Sequence, residues 1–265
     1  MTIDVCALCG ETRELQLSHF LPAGLYRLVF DPDEKNGHPI LMSRTTTMKS
    51  TFQMKYPLLC RDCEGKFSAN GERYVIPRLQ GREGFRFLDE LRDVPAHQIS
   101  PELFAFSCAD AGFDAGKLAY FAVSLLWRAA VRNWDMFDGG TTSVQMDDGH
   151  KESIRQYLLG TGPFPSDMIV MATVATDVPT RESFFTPSRI PENPYTTYSV
   201  MTKGLAFRIS MGSDLPLEMK SVCCIHNGII FAKDCSDRSV DPFVGMMETS
   251  VVKGGLAREL DRKAS

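Results

Sequence analysis

Cys6-Ala7-Leu8-Cys9-Gly10 near the start of the chain and Leu58-Leu59-Cys60-Arg61-Asp62-Cys63-Glu64 further on carry the same device, a Cys-x-x-Cys turn. Two residues between cysteines let both sulfurs of a tight turn face one ion. Two such turns complete a tetrahedral thiolate shell of the kind structural zinc takes. The sequence therefore predicts one structural Zn2+ held by Cys6, Cys9, Cys60 and Cys63. The pairs stand further apart than in a simple zinc ribbon, and the loop held between them contains Ser18-His19-Phe20. Metal binding on that plan holds a site together.

Outward from the cysteines, Leu15 to His19 alternates apolar and polar residues and predicts a short strand with His19 at its end. Pro22 suits a first helical turn, and Leu25, Leu28 and Val29 follow at helical spacing, so a short helix is expected over 22–30. Asp33 to His38, with Asn36-Gly37, has turn composition. Residues 40–55 are rich in Ser, Thr and Met and carry Arg44, Lys49 and Lys55, either a strip that contacts phosphate or a solvated loop. A second strand is expected over Phe52 to Leu59, with Pro57 favouring an edge or a bulge. Asp62 or Cys63 then opens a helix to about Tyr74, which Gly71 weakens. The order is strand, loop, strand, helix.

The chain has 265 residues, more than the ~100–150 of a usual single domain, so a small metal-stapled module (1–80) and a larger α+β domain (81–265) are expected. Arg78 to Asp93, polar and punctuated by glycine, predicts a connector that packs back on the core through Phe85, Phe87, Leu88 and Leu91. The strongest helical pattern is Lys117 to Trp134, apolar on broad faces and expected to be the central buried helix. Arg128 lies within it, and a buried guanidinium must be paired. An internal ion pair is the plainer expectation, a phosphate clamp the other. Lys151 to Leu159 predicts a shorter helix ended by Gly160. Beyond it the period becomes strand-like over 168–178, 195–211 and 219–234, with Asn227-Gly228 placed as a hairpin turn. An antiparallel sheet packed on the two helices is expected, and a short charged helix or frayed tail over 254–265.

Composition narrows the function. The formal net charge is −4 and the pI about 5.8, so no global positive field draws the chain to nucleic acid, and binding would need a local patch. Neither a leader-like segment nor an apolar run of ~20 residues is visible, which predicts a soluble protein of the reducing cytoplasm, without a membrane, where Cys-x-x-Cys pairs ligate metals. Cys108, Cys223, Cys224 and Cys235 read as small buried apolar residues. No phosphate loop, nucleophile elbow or dinucleotide fingerprint is present.

The run Cys-x-x-Cys-Gly, Leu-x-x-Ser-His-Phe-x-Pro, Leu-Leu-Cys-x-x-Cys-Glu resembles the zinc-bearing branch of the HNH, or ββα-metal, nucleases, over about Cys6 to Val75. That resemblance implies a ββα-metal-like module, His19 as general base and a catalytic Mg2+ or Mn2+ at the scissile phosphate. The chain departs from the family at Ser18, where an acidic residue or His usually precedes the base. It departs again at Pro57-Leu58-Leu59, where an Asn is expected, and at Glu64, where His or Asn usually follows the last cysteine. Glu64 is an oxygen donor suited to either ion and is the candidate replacement ligand, with Glu72 a weaker one. The second half, with Leu126-Trp127-Arg128-Ala129-Ala130, resembles an uncharacterised domain appended to HNH-like proteins, which implies no function. The expected function is metal-dependent endonuclease action on nucleic acid, DNA before RNA, with the larger domain giving specificity, regulation or assembly through a protein partner or a second copy. The alternative is a non-catalytic zinc module that binds nucleic acid or a protein.

Overall fold

The first cysteine pair forms the tip of a hairpin. Strand β1 (Thr2–Val5) pairs antiparallel with β2 (Thr12–His19), and Gly10, at φ +76°, takes the left-handed conformation the turn requires. In this computed structural model the described residues are 2–29, 38–80, 85–190, 194–234, 250–254 and 256. After β2 come helix α1 (Ala23–Leu28), β3 (Ile40–Met42), β4 (Thr46–Lys49) and β5 (Lys55–Cys60). Strand β5 returns antiparallel to β2, so the sheet order is β1-β2-β5. Gln16 faces Leu59 but Leu17 faces Pro57, leaving Leu58 as a bulge. Pro57 thus sits on an edge strand beside a bulge, where its missing N–H is tolerated.

The helix after Cys60 is continuous but changes pitch. It begins as α2 (Arg61–Phe67), widens into a π turn (Ser68–Glu72), and continues as α3 (Arg73–Val75) and a 3-10 turn at Ile76–Arg78. Helix α4 (Arg86–Leu91) and the hairpin β6 (Ala96–Ser100) and β7 (Leu103–Ser107) follow, so the expected connector contains a helix.

Helix α5 (Ala115–Ala130) starts at Asp114, whose carboxylate accepts the Lys117 N–H at 3.0 Å. Every residue from Leu118 to Ala129 is buried, because one side of α5 packs on the large sheet and the other on the π turn. The helix stops four residues short of Trp134, which instead opens β8 (Trp134–Asp135), paired with β9 (Thr141–Thr142). The Trp134 indole N–H donates to the Arg128 carbonyl at 2.8 Å and so satisfies the end of the helix it was expected to extend. Helix α6 (Asp148–Leu159) is capped by Asp147 and ended by Gly160 at φ +83°.

The remaining elements are β10 (Met168–Ala175), α7 (Val178–Arg181), β11 (Phe184–Ile190), β12 (Thr196–Thr202), β13 (Leu205–Met211), α8 (Leu217–Ser221), α9 (Cys224–Asn227), β14 (Ile229–Lys233) and β15 (Val251–Lys253). A seven-stranded sheet runs β11-β12-β13-β10-β14-β7-β6. Two expectations are corrected here. The sheet is not wholly antiparallel, since β10 and β14 run parallel. Asn227-Gly228 is not a hairpin turn: residues 224–227 are helical, and Gly228, at φ +60°, is the left-handed cap of α9. The hairpin lies at Lys203-Gly204, with φ +32° and +83°, and splits the expected run over 195–211 into β12 and β13.

The architecture is mixed α+β. One buried cluster joins Leu8, Phe20 and Phe67 to Leu118 and Trp127, and on to Val170, Phe207 and Ile230, so the core is continuous across residues 1–80 and 81–265. Strand β15 also returns to pair in parallel with β4. The expected boundary adjoins 81–84, which lies outside the described residues, as do the Asn36-Gly37 turn, Cys235 and most of the expected tail. No helix among the described residues is long and apolar enough to cross a membrane.

Candidate metal centre and adjoining histidine

The two turns bring Cys6, Cys9, Cys60 and Cys63 together, with all four sulfurs within 4.8 Å of one another. A tetrahedral ion with metal–sulfur bonds of ~2.3 Å needs sulfurs about 3.8 Å apart, and Cys9 and Cys60 stand at 4.0 Å. Backbone geometry supports the cluster: the Cys60 N–H donates to Cys6 Sγ at 3.2 Å, and the Ala7 N–H donates to the Leu58 carbonyl at 3.1 Å. The Cys63 thiol donates to Cys6 and, with the backbone bonds, pulls the Cys6 thiol down to about 4. The same bond pushes Cys63 up, and burial pushes Cys9 up. The Cys63 thiol and the backbone donors favour the Cys6 thiolate, and four sulfurs so gathered are a donor set suited to a borderline-soft cation such as zinc. From the far side Arg155 on α6 donates to the Leu8 carbonyl at 2.5 Å and tethers the first turn.

His19 ends β2, opposite Lys55 in register and half-buried. Its Nε2 lies 3.0 Å from Gln53 Oε1. An amide oxygen accepts, so Nε2 carries the proton and Nδ1 keeps its lone pair. Burial lowers the proton affinity of His19 below the ordinary imidazole value; Lys55 and Arg128 lower it further, while Gln53 and Glu64 oppose them. Ser18 does not face the same site: its hydroxyl is buried and accepts the Leu59 N–H at 3.1 Å, which serves the strand pairing.

Glu64 does not point into open solvent. Its Oε2 lies 3.8 Å from Arg128 Nη2, and its Oε1 is buried without a hydrogen-bond partner. Glu72 reaches the same Arg128 nitrogen at 2.7 Å. The π turn explains the convergence. Two α turns take about 7.2 residues, and one widened turn adds about one more, so residues 64 and 72 come onto one face. Arg128 is 1% exposed, stacks 4.6 Å from the Phe67 ring, and has no partner for Nε or Nη1. Asp62, by contrast, is solvent-facing and paired with Arg13 at 3.0 Å.

The expected internal ion pair of Arg128 thus exists, but with the N-terminal module. Nothing local in the sequence signals it, since Glu72 lies 56 residues away. Gln53 was likewise not foreseen, being a polar residue in a loop before a strand. Glu64 Oε1 is a buried acceptor without a partner, and among the described residues the only cluster of three or more candidate metal ligands is the cysteine one. Of the basic strip, Arg44 and Lys55 are exposed and Lys49 is half-buried on β4. No family model, curated protein or solved structure matches the chain.

Proposed function

We propose that the chain hydrolyses phosphodiester bonds of nucleic acid, DNA before RNA, on an HNH-like plan, with zinc at the four cysteines and Mg2+ or Mn2+ at Glu64. The observation that carries this proposal is His19, which ends strand β2 with its Nε2 held 3.0 Å from Gln53 Oε1 and its proton affinity lowered by burial. Gln53 fixes the tautomer and the ring plane. His19 then takes a proton from the attacking water, a step for which a positioned base contributes ~10²–10⁴-fold. A divalent ion, when bound, offsets the charge that develops on the phosphate and leaving oxygen. The zinc staples the β2–β5 pair to α2, so that His19 and Glu64 keep their relation.

A second reading is favoured by Arg128, whose charge already answers Glu64 and Glu72. On that reading the zinc module only binds nucleic acid or a protein. Plasmid and single-stranded substrates incubated with Mg2+ or Mn2+ separate the two. Cleavage by the wild type, lost in His19→Ala while zinc content holds, is the expected result. Wild-type protein that cleaves neither DNA nor RNA with any divalent ion, yet binds nucleic acid equally with and without His19, establishes the binding module instead.

A further inference from the structure

Between Phe52 and Tyr56 the chain passes His19 with aromatic, polar and cationic side chains in close succession. Gln53 holds the His19 ring at 3.0 Å. Lys55 is the antiparallel partner of His19, so the two side chains stand on one face of the sheet. At the ends of the run, Phe52 is 37% exposed and Tyr56 is 44% exposed. Each ring is held by a residue from the segment after α5. Phe137 meets Phe52 edge to face at 6.5 Å, and the Arg132 guanidinium lies over the Tyr56 ring, 3.1 Å from its centre. Rings held in this way lose little freedom when a ligand lands on them.

Among the described residues neither Lys55 nor Arg132 pairs with a carboxylate; Arg132 donates to the Asn133 carbonyl at 2.8 Å. Two unanswered cations beside exposed rings are the local patch that a chain of net charge −4 needs for nucleic acid. A duplex hides the faces of its bases and offers chiefly phosphate, whereas an unpaired strand offers both. Aromatic faces interleaved with cations match the unpaired strand. We infer that residues 52–56 and Arg132 form a platform for single-stranded nucleic acid, with bases on Phe52 and on the Arg132–Tyr56 stack and phosphates at Lys55 and Arg132. The platform follows β5, an edge of its sheet, so a polynucleotide can run along it. This inference rests on the reading of nucleic acid as the ligand, and it adds that the strand reaches His19 unpaired.

The test is fluorescence anisotropy of a labelled DNA strand of about 12 nucleotides, within the site sizes of single-strand binders, alone and in duplex. The zinc-loaded full chain is used without added Mg2+ or Mn2+. The single strand should bind about 10-fold or more tighter than the duplex. Phe52→Leu keeps an apolar contact with Phe137 but loses the ring, and should weaken single-strand binding about 5- to 100-fold, the range for one stacked base, while duplex affinity holds. Lys55→Gln and Arg132→Gln should each reduce the slope of log affinity against log salt by about 0.7, the share of one phosphate contact on a single strand. Should Phe52→Leu not fold, Tyr56→Leu is read in the same way. Equal affinity for single strand and duplex, or wild-type affinity in Phe52→Leu, overturns the platform and leaves hydrolysis to the cleavage assay. Tight single-strand binding without cleavage of any substrate upholds the platform and sinks the hydrolase reading. A wild type that binds neither form overturns both.

Discussion

Gly71 lies directly against Phe121: a Cβ on Gly71 would come within 3.0 Å of the Phe121 Cα and 3.1 Å of its backbone nitrogen. The π turn and α5 touch backbone to backbone at this point, and neither can yield by rotating a side chain. Gly71→Ala should therefore destabilise the fold by about 1–3 kcal/mol, the range for overpacking a core, despite the better helix propensity of alanine. Urea denaturation with an unchanged slope checks this. A neutral or stabilising effect would show that the contact can relax.

Purified chain should carry one equivalent of zinc, measured by elemental analysis, and Cys60→Ser should lose it. Cys60 closes the sheet against the first turn as well as supplying a sulfur, so the variant should also melt well below the wild type. Retention of zinc in Cys60→Ser would show that the four-cysteine cluster is not the site.

Stability should fall as the solution becomes acidic, in part through His19. Its folded-state proton affinity is depressed by burial below the ordinary value of 6.5, so the unfolded chain binds the proton more readily. The contribution is fully present above about 6.5 and is lost as pH falls through the lower folded value. Urea midpoints measured from pH 7.5 to 5 should drop less steeply in His19→Gln than in wild type. Identical slopes would show that His19 titrates normally.

Arg155→Met should leave zinc stoichiometry at one while zinc passes more quickly to a chelator. The guanidinium tethers the Leu8 carbonyl in the first cysteine turn, and an unmet buried acceptor costs about 1–3 kcal/mol. Unaltered release kinetics would mean that the tether is dispensable.

The local chemistry of the site was legible in the sequence, and its long-range partners were not. The cysteine spacing, the strand ending at His19 and the bulge beside Pro57 all follow from rules that act within a few residues. Helix α5 was legible because its apolar positions cover every face, though its C-terminus was not, since Trp134 turns back to bond the Arg128 carbonyl. Asn227-Gly228 misled because the same left-handed glycine that suits a hairpin also ends a helix. Gln53 and Glu72 are ordinary polar residues until the fold sets them beside His19 and Arg128, and no period or spacing announces such a meeting.

Strand β15 reaches β4 from the other end of the sequence, with the Thr47 hydroxyl 2.5 Å from that of Ser250, 203 positions further along the chain. During synthesis, all four cysteines leave the ribosome while most of the chain is still untranslated, and the first module can take up its metal then. The β3–β4 edge beside it must wait for residues 251–253 before it is covered. At ~5–20 residues per second, that leaves roughly ten to forty seconds in which a nascent chain exposes an unpaired strand edge, a period in which a chaperone would have something to hold.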